Sequence, residues 1–177
     1  MVGALAFLGF RAIMGSIFVA HGYPKLFGGT GKPVSETAAR ILGPGFVQAV
    51  SNGGISTTAT HFREMGIPFP YLMAWFVSLL EFAGGILLIA GWLTRPTALL
   101  LASEMVVAIQ KVHWRNGLIG PGGFEFPLAM LAGCLGLFGA GPGDLSIDDL
   151  ISDQNAPGRR EGQTPSPPAT PTGGAIR

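Results

Sequence analysis

Three ionisable side chains lie inside long apolar stretches of the sequence: Arg11, Glu81 and Glu104. A charged side chain at bilayer depth costs about 2.5–3.5 kcal/mol on insertion scales, so it usually faces a partner or water. Two carboxyl groups and one guanidinium leave an excess negative charge, and we expect one glutamate to carry a proton. Such a carboxyl group beside a cation can accept protons or hold the polar group of a ligand. These residues are the candidates for catalysis, and an ion-pair network that only fixes the helices is the alternative.

A second group of polar residues is expected near one face of the membrane. His21, Lys25 and Glu125 lie within about two helical turns of that face, as do Lys111 and His113. No pair of histidines has the HxxxH or HExxH spacing of a metal site, so we expect no bound metal. Interfacial anchoring and the mouth of an anion or quinone site both remain open. We take His21, Lys25 and Glu125 as the candidate ligand-binding residues.

The composition indicates that these residues are positioned by membrane helices. Hydrophobic residues make up 48% of the 177 residues and charged residues only 12%, which is unusual for a soluble domain. A bilayer core about 30 Å thick needs about 20 apolar residues per helix. A soluble bundle is disfavoured because residues 73–92 contain a single charge. We predict an all-α, four-transmembrane-helix bundle whose helices cover residues 4–22, 69–92, 95–113 and 124–141.

The connections divide the chain into a membrane domain, residues 1–150, and a tail. The first loop, residues 23–68, is long for a compact bundle, so we expect it to contain structured pieces. Ser35 can cap a short helix within it. The second and third helices are joined by a short turn and must be antiparallel neighbours. Residues 151–177 are rich in Pro, Gly, Ser and Thr, and we predict that they are disordered.

Counting along the helices predicts that the three buried charges share one layer. With the first helix ending near residue 22, Arg11 lies about 15 Å below the loop-side face, and Glu81 lies about 18 Å below it. Glu104 lies about 13–14 Å from the opposite face, which is again close to the midplane. Small residues beside these charges would let the helices approach closely. We therefore expect Arg11, Glu81 and Glu104 to form a single polar site.

Charge and cysteine content exclude other functions. The net charge of +1 argues against a nucleic-acid partner. The single cysteine, Cys134, excludes an internal disulfide and a CxxC redox pair, and we expect it to be buried in an apolar helix. Lys and Arg lie on both sides of the predicted helices, so the positive-inside rule does not fix the orientation.

The sequence also resembles the DoxX-like membrane proteins over roughly residues 9–150. The most specific elements are HGYPKLFG at the end of the first helix, the EFAGGILLIAGWLTR run, and GPGDLSID after the fourth helix. The resemblance implies a multi-pass protein of the bacterial inner membrane. It also implies a setting in membrane redox chemistry near the quinone pool, because the family is named after the small membrane subunit of a quinone-linked oxidoreductase.

Three functions follow as hypotheses. The first is a membrane subunit of a redox system at the quinone pool, with quinone as the ligand and His21, Lys25 and Glu125 at the mouth of the site. The second is a non-catalytic anchor that recruits soluble redox or stress enzymes. The third is a small-molecule or proton-coupled transporter, for which mid-membrane carboxyl groups are also typical. Helix surfaces rich in Gly and Ala further predict a homo-oligomer.

Overall fold

The computed structural model describes residues 2–154, and within that range every regular element is helical. The expected all-α class is therefore confirmed. A π-helical turn, Ile109–His113, and a 3-10 turn, Trp114–Asn116, follow the fifth α-helix. The α-helices are α1 Val2–Phe27, α2 Glu36–Asn52, α3 Ile55–Glu64, α4 Pro70–Ala90, α5 Thr94–Ala108, α6 Glu125–Ala140 and α7 Ile147–Gln154.

Two of these helices, α1 and α4, are long and apolar enough to cross a membrane. Helix α6 is apolar but has only 16 residues, and α5 has 15 residues before the π-helical turn extends it. All four helices pack around one apolar core. Its fully buried side chains come from every one of them and include Phe18, Leu88, Leu101, Cys134 and Leu137.

Glycines set the close, antiparallel contact between α1 and α4. A Cβ atom on Gly15 would overlap the carbonyl oxygen of Gly85, and one on Gly22 would overlap the backbone of Phe82. Only glycine allows two helix backbones to approach this closely. The contact fixes the register: the Gly15 level of α1 faces Gly85, and the Gly22 level faces Glu81 and Phe82.

The first helix is longer than the sequence predicted. It continues through Pro24 to Phe27 instead of ending near residue 22. The carbonyl oxygen of Pro24 accepts hydrogen bonds from the N–H groups of Gly28 (2.9 Å) and Gly54 (3.0 Å). The start of α3 is therefore tied directly to the end of α1. This extension places Lys25 inside a helix and moves Arg11 farther from the loop-side end.

The long first connection contains two helices. Helix α2 begins after Ser35, whose hydroxyl accepts a hydrogen bond from the Ala38 N–H, as a helix N-cap does. A kink at Gly43, which has a φ of 81°, interrupts α2 before Pro44. Helix α3 packs on α4 through Ala59 and Ala74. In the predicted disordered tail, residues 151–154 belong to α7, and the rest lies outside the described residues.

Candidate functional site

Lys25 and Glu81 form an ion pair between α1 and α4. The Lys25 Nζ donates to both carboxylate oxygens of Glu81, at 2.6 Å and 2.5 Å. The Glu81 side chain is only 4% exposed, whereas that of Lys25 is 30% exposed. The α1–α4 register explains the contact, since Glu81 packs beside Gly22 and Lys25 lies one turn farther along α1. Buried charges persist when they are paired in this way.

Glu104 of α5 lies beside this pair. Its carboxyl group is within hydrogen-bonding reach of the Glu81 carboxyl group and is close enough to Lys25 for a direct electrostatic interaction. Its Oε2 atom is buried and has no partner among the hydrogen bonds of the described residues. Two carboxyl groups and one ammonium group therefore meet at one point between three helices. We call these three residues the acid cluster.

A cavity of about 640 Å³ ends on the acid cluster. Most of its lining is apolar and comes from α4, α5, the start of α6 and the turn between α3 and α4. Its volume and mainly apolar lining are typical of small-molecule sites, in which a few polar groups orient the ligand. The polar and charged lining residues are His21, Lys25, Glu81, Ser103, Glu104, Lys111 and His113.

The π-helical turn forms one wall of the cavity near the loop-side end. It carries Lys111 and His113 into the lining, about two helical turns beyond Glu104. The His113 ring nitrogen Nδ1 is 2.7 Å from the carbonyl oxygen of Gly122, and the Asn116 amide donates to the same oxygen at 3.0 Å. These bonds hold the glycine-rich segment before α6 against the turn. Short π-helical turns are frequent at functional sites.

Of the three predicted ligand-binding residues, His21 and Lys25 line the cavity and Glu125 does not. His21 stacks on Phe126 with ring centroids 5.7 Å apart, and its Nδ1 atom lies 2.9 Å from the carbonyl oxygen of Ile17. Glu125 is exposed in the first turn of α6, where its charge interacts favourably with the helix dipole. Its neighbours Phe126 and Pro127 face the cavity instead.

Arg11 does not join Glu81 and Glu104, so the predicted single layer of three charges is wrong in this respect. The guanidinium group lies against Gly91. Gly91 is ten residues, or about 15 Å, from Glu81 along α4. The error arose from the end of α1. Because that helix continues to Phe27, Lys25 reaches Glu81 and Arg11 lies near the opposite end of the bundle.

Arg11 instead holds the segment that follows α6. It is 1% exposed and donates hydrogen bonds to the carbonyl oxygens of Pro142 and Leu145, the latter at 2.6 Å. Asp148 supplies a negative charge nearby. The Asp148 carboxylate also accepts hydrogen bonds from the N–H groups of Leu93 (2.9 Å) and Thr94 (3.0 Å) at the start of α5. The GPGDLSID motif therefore closes this end of the molecule.

Sequence reasoning missed part of the cavity wall and the role of Asp148. Met73 and Val77 precede Glu81 by about two turns and one turn, and helical spacing could have placed them on the Glu81 face. The Asp148 contacts depend on the chain folding back after α6, which no local pattern indicates. Across residues 2–154, no group of three or more His, Cys, Asp and Glu side chains is arranged to hold a metal ion.

Comparison with known proteins gives two matches. The family model described as DoxX matches residues 6–114. Inner membrane protein YqjF of Escherichia coli (strain K12) is 35% identical over 124 residues, which are 67% of this chain and 93% of that protein. No solved structure gives a significant match. The inner-membrane location expected from the sequence is confirmed.

Proposed function

Because this chain belongs to the DoxX family of inner membrane proteins, we propose that it is the membrane subunit of a redox system at the quinone pool. In this proposal the cavity beside the acid cluster binds the headgroup of a quinone. Soluble redox enzymes act as its partners at the membrane surface. The observation that carries the proposal is a mainly apolar cavity of about 640 Å³ that ends on Lys25, Glu81 and Glu104.

The lining of the cavity matches the chemistry of a quinone. Phe76 and Phe126 offer aromatic faces for a ring, and Met73 and Met105 offer thioethers, which pack favourably against aromatic rings. The polar groups of the headgroup would meet the acid cluster at the deep end. A carboxyl group and an ammonium group can both exchange protons there, as the interconversion of quinone and quinol requires.

The proposal also includes four membrane spans. Helices α1 and α4 are long enough by themselves. Residues 94–113, in α5 and the π-helical turn, would extend over about 30 Å, and the 16 residues of α6 over about 24 Å. A bilayer can thin around a short helix at modest cost. In this arrangement α2, α3 and the cavity mouth lie at one face, and α7 lies at the other.

The proposal can be tested by measuring how much quinone co-purifies with the protein. The protein is extracted from its native membranes in a mild detergent, and the co-purifying lipids are identified by mass spectrometry. We expect close to one quinone per chain. Ala108→Phe, which fills the cavity, should lose it, while Val106→Phe on the same helix but outside the lining should retain it. No quinone above the level of a control membrane protein would refute the proposal.

A transporter is the second candidate, and the acid cluster specifically favours it. Paired carboxyl groups in a membrane-embedded cavity are typical of proton-coupled transport. Proteoliposomes with an imposed proton gradient distinguish the two functions. Proton flux that depends on Glu104 and continues without quinone would support transport. The anchor hypothesis, by contrast, requires neither quinone nor flux, only capture of soluble enzymes by α2, α3 or the tail.

A further inference from the structure

The protonation of the acid cluster limits the kind of polar group that the cavity can accept. Lys25 Nζ donates to both Glu81 oxygens, so Glu81 is the carboxylate of the pair. The Glu104 carboxyl group lies within hydrogen-bonding reach of that carboxylate. Two carboxyl groups share a hydrogen bond only when one carries a proton. Glu104 therefore carries the proton and donates it to Glu81.

This arrangement leaves one acceptor at the deep end of the cavity. Glu81 can engage only one of the two Glu104 oxygens, and the second is then a carbonyl-type acceptor. No hydrogen bond among the described residues reaches the buried Glu104 Oε2 atom. Two of the three Lys25 N–H groups bind the Glu81 oxygens, and the Ser103 hydroxyl donates to the Leu100 carbonyl oxygen at 2.6 Å. A buried acceptor without a donor is costly, so a ligand that supplies an O–H group is favoured.

We infer that the cavity binds the reduced, hydroxyl-bearing form of a lipophilic quinone, whose phenolic O–H donates to the free Glu104 oxygen. The inference rests on the proposed function and adds two things to it: the form of the ligand and the residue that selects this form. An oxidised quinone presents only acceptors, and its carbonyl oxygen would face the Glu104 oxygen without a proton between them. Glu104 is a binding residue that discriminates between two ligands of nearly identical shape.

Equilibrium binding of two matched probes tests the inference. The probes are a benzoquinol with one isoprene tail and the corresponding quinone, each titrated anaerobically into the purified full-length protein in detergent. One hydrogen bond to a buried acceptor corresponds to about a tenfold difference in Kd. We therefore expect wild-type protein to bind the quinol at least about tenfold more tightly. Equal affinities, or tighter binding of the quinone, would overturn the inference.

Two substitutions of Glu104 distinguish a loss of the preference for quinol from a loss of protein stability. Glu104→Gln keeps an N–H that can donate to Glu81 and a carbonyl oxygen for the ligand, so it should retain the quinol preference. Glu104→Leu removes both and should bring the two affinities within about threefold. Glu36→Gln, an exposed site on α2, is the matched control.

The outcomes also distinguish this inference from the proposed function. If neither probe binds wild-type protein, the quinone site itself is refuted. If wild-type protein binds both probes without preferring the quinol, only the inference about the reduced form fails. The same conclusion follows if the preference for the quinol persists in Glu104→Leu. The comparison of quinol and quinone affinities in wild-type protein does not depend on the folding of any variant. A variant is included only if it elutes from size-exclusion chromatography as a single species and binds the quinone.

Discussion

At the scale of single residues, the acid cluster is the feature that most needs an explanation. A buried glutamate is tolerated when a cation satisfies it, and Lys25 meets Glu81 with both hydrogen bonds at 2.6 Å or less. Glu104 adds a second carboxyl group beside an ion pair in which Lys25 already binds both oxygens of Glu81. A buried carboxyl oxygen without a hydrogen-bond partner, in a mainly apolar cavity with a few polar groups, is more typical of a binding site than of a structural ion pair.

Lys25→Met should destabilise the protein because it leaves the Glu81 carboxylate buried without a partner. We expect the free energy of unfolding to fall by about 2–3 kcal/mol. Titration with a denaturing detergent measures this change. The double variant Lys25→Met/Glu81→Gln should recover most of that loss, since no unpaired charge remains. Lys32→Met is the exposed control. Additive losses in the double variant would contradict the pairing.

Much of the acid cluster could be predicted from the sequence, but its partner could not. Glu81 and Glu104 stand out as lone charges in apolar helices, and both lie in the cavity lining. The prediction joined them to Arg11 because it ended α1 at Gly22, where Gly and Pro suggested a turn. The Gly28 N–H continues the helical hydrogen-bond pattern to the Pro24 carbonyl oxygen, and a tertiary hydrogen bond from the Gly54 N–H reaches the same oxygen. The additional helical turn brings Lys25 to Glu81 in place of Arg11.

At the scale of helices, the α1–α4 contact determines which cation meets Glu81. Gly15, Gly22 and Gly85 let the two backbones touch, and this register brings Lys25 to Glu81. The sequence did predict small residues beside the charges. It could not predict the register, because helical periodicity identifies a face but not its partner.

Gly15→Ala should weaken the α1–α4 contact. The added methyl group would overlap the Gly85 carbonyl oxygen, and we expect a loss of about 1–3 kcal/mol in the free energy of unfolding. Gly9→Ala on the same helix has open space around its Cβ position and should be neutral or stabilising by up to about 1 kcal/mol. If the two variants change stability equally, the close contact is not as described.

Asp148→Ala should loosen the end of the molecule that Arg11 holds. It removes the acceptor for the Leu93 and Thr94 N–H groups, and loss of such a cap costs about 1 kcal/mol. Hydrogen exchange should accelerate at these two amides. Asp149→Ala, one residue along α7, is the control, and similar acceleration in both variants would argue against the cap.

At the scale of the whole molecule, the proposed arrangement puts the cavity mouth and the motif held by Arg11 at opposite faces of the membrane. Composition and hydropathy are enough to predict a helical membrane protein. They do not predict which face is which, since basic residues occur on both sides. The antiparallel register of α1 and α4, together with the short turn to α5, relates the two ends to each other.

Cysteine labelling tests this arrangement. In a Cys134→Ala background, Ser56→Cys on α3 and Leu150→Cys on α7 each supply a single exposed thiol. A membrane-impermeant maleimide applied to intact cells should label one of the two and not the other, and permeabilised cells should show both. Labelling of both sites in intact cells would contradict the four-span arrangement.

Photolabelling can show directly whether a quinone occupies the cavity beside the acid cluster. A photoreactive benzoquinone analogue is activated in native membranes, and the modified peptides are identified by mass spectrometry. We predict adducts on residues 73–81 of α4 and 103–111 of α5 and the π-helical turn. They should be lost in Ala108→Phe and kept in Val106→Phe. Adducts confined to the outer surfaces of α1 or α6, or unaffected by Ala108→Phe, would contradict the claim.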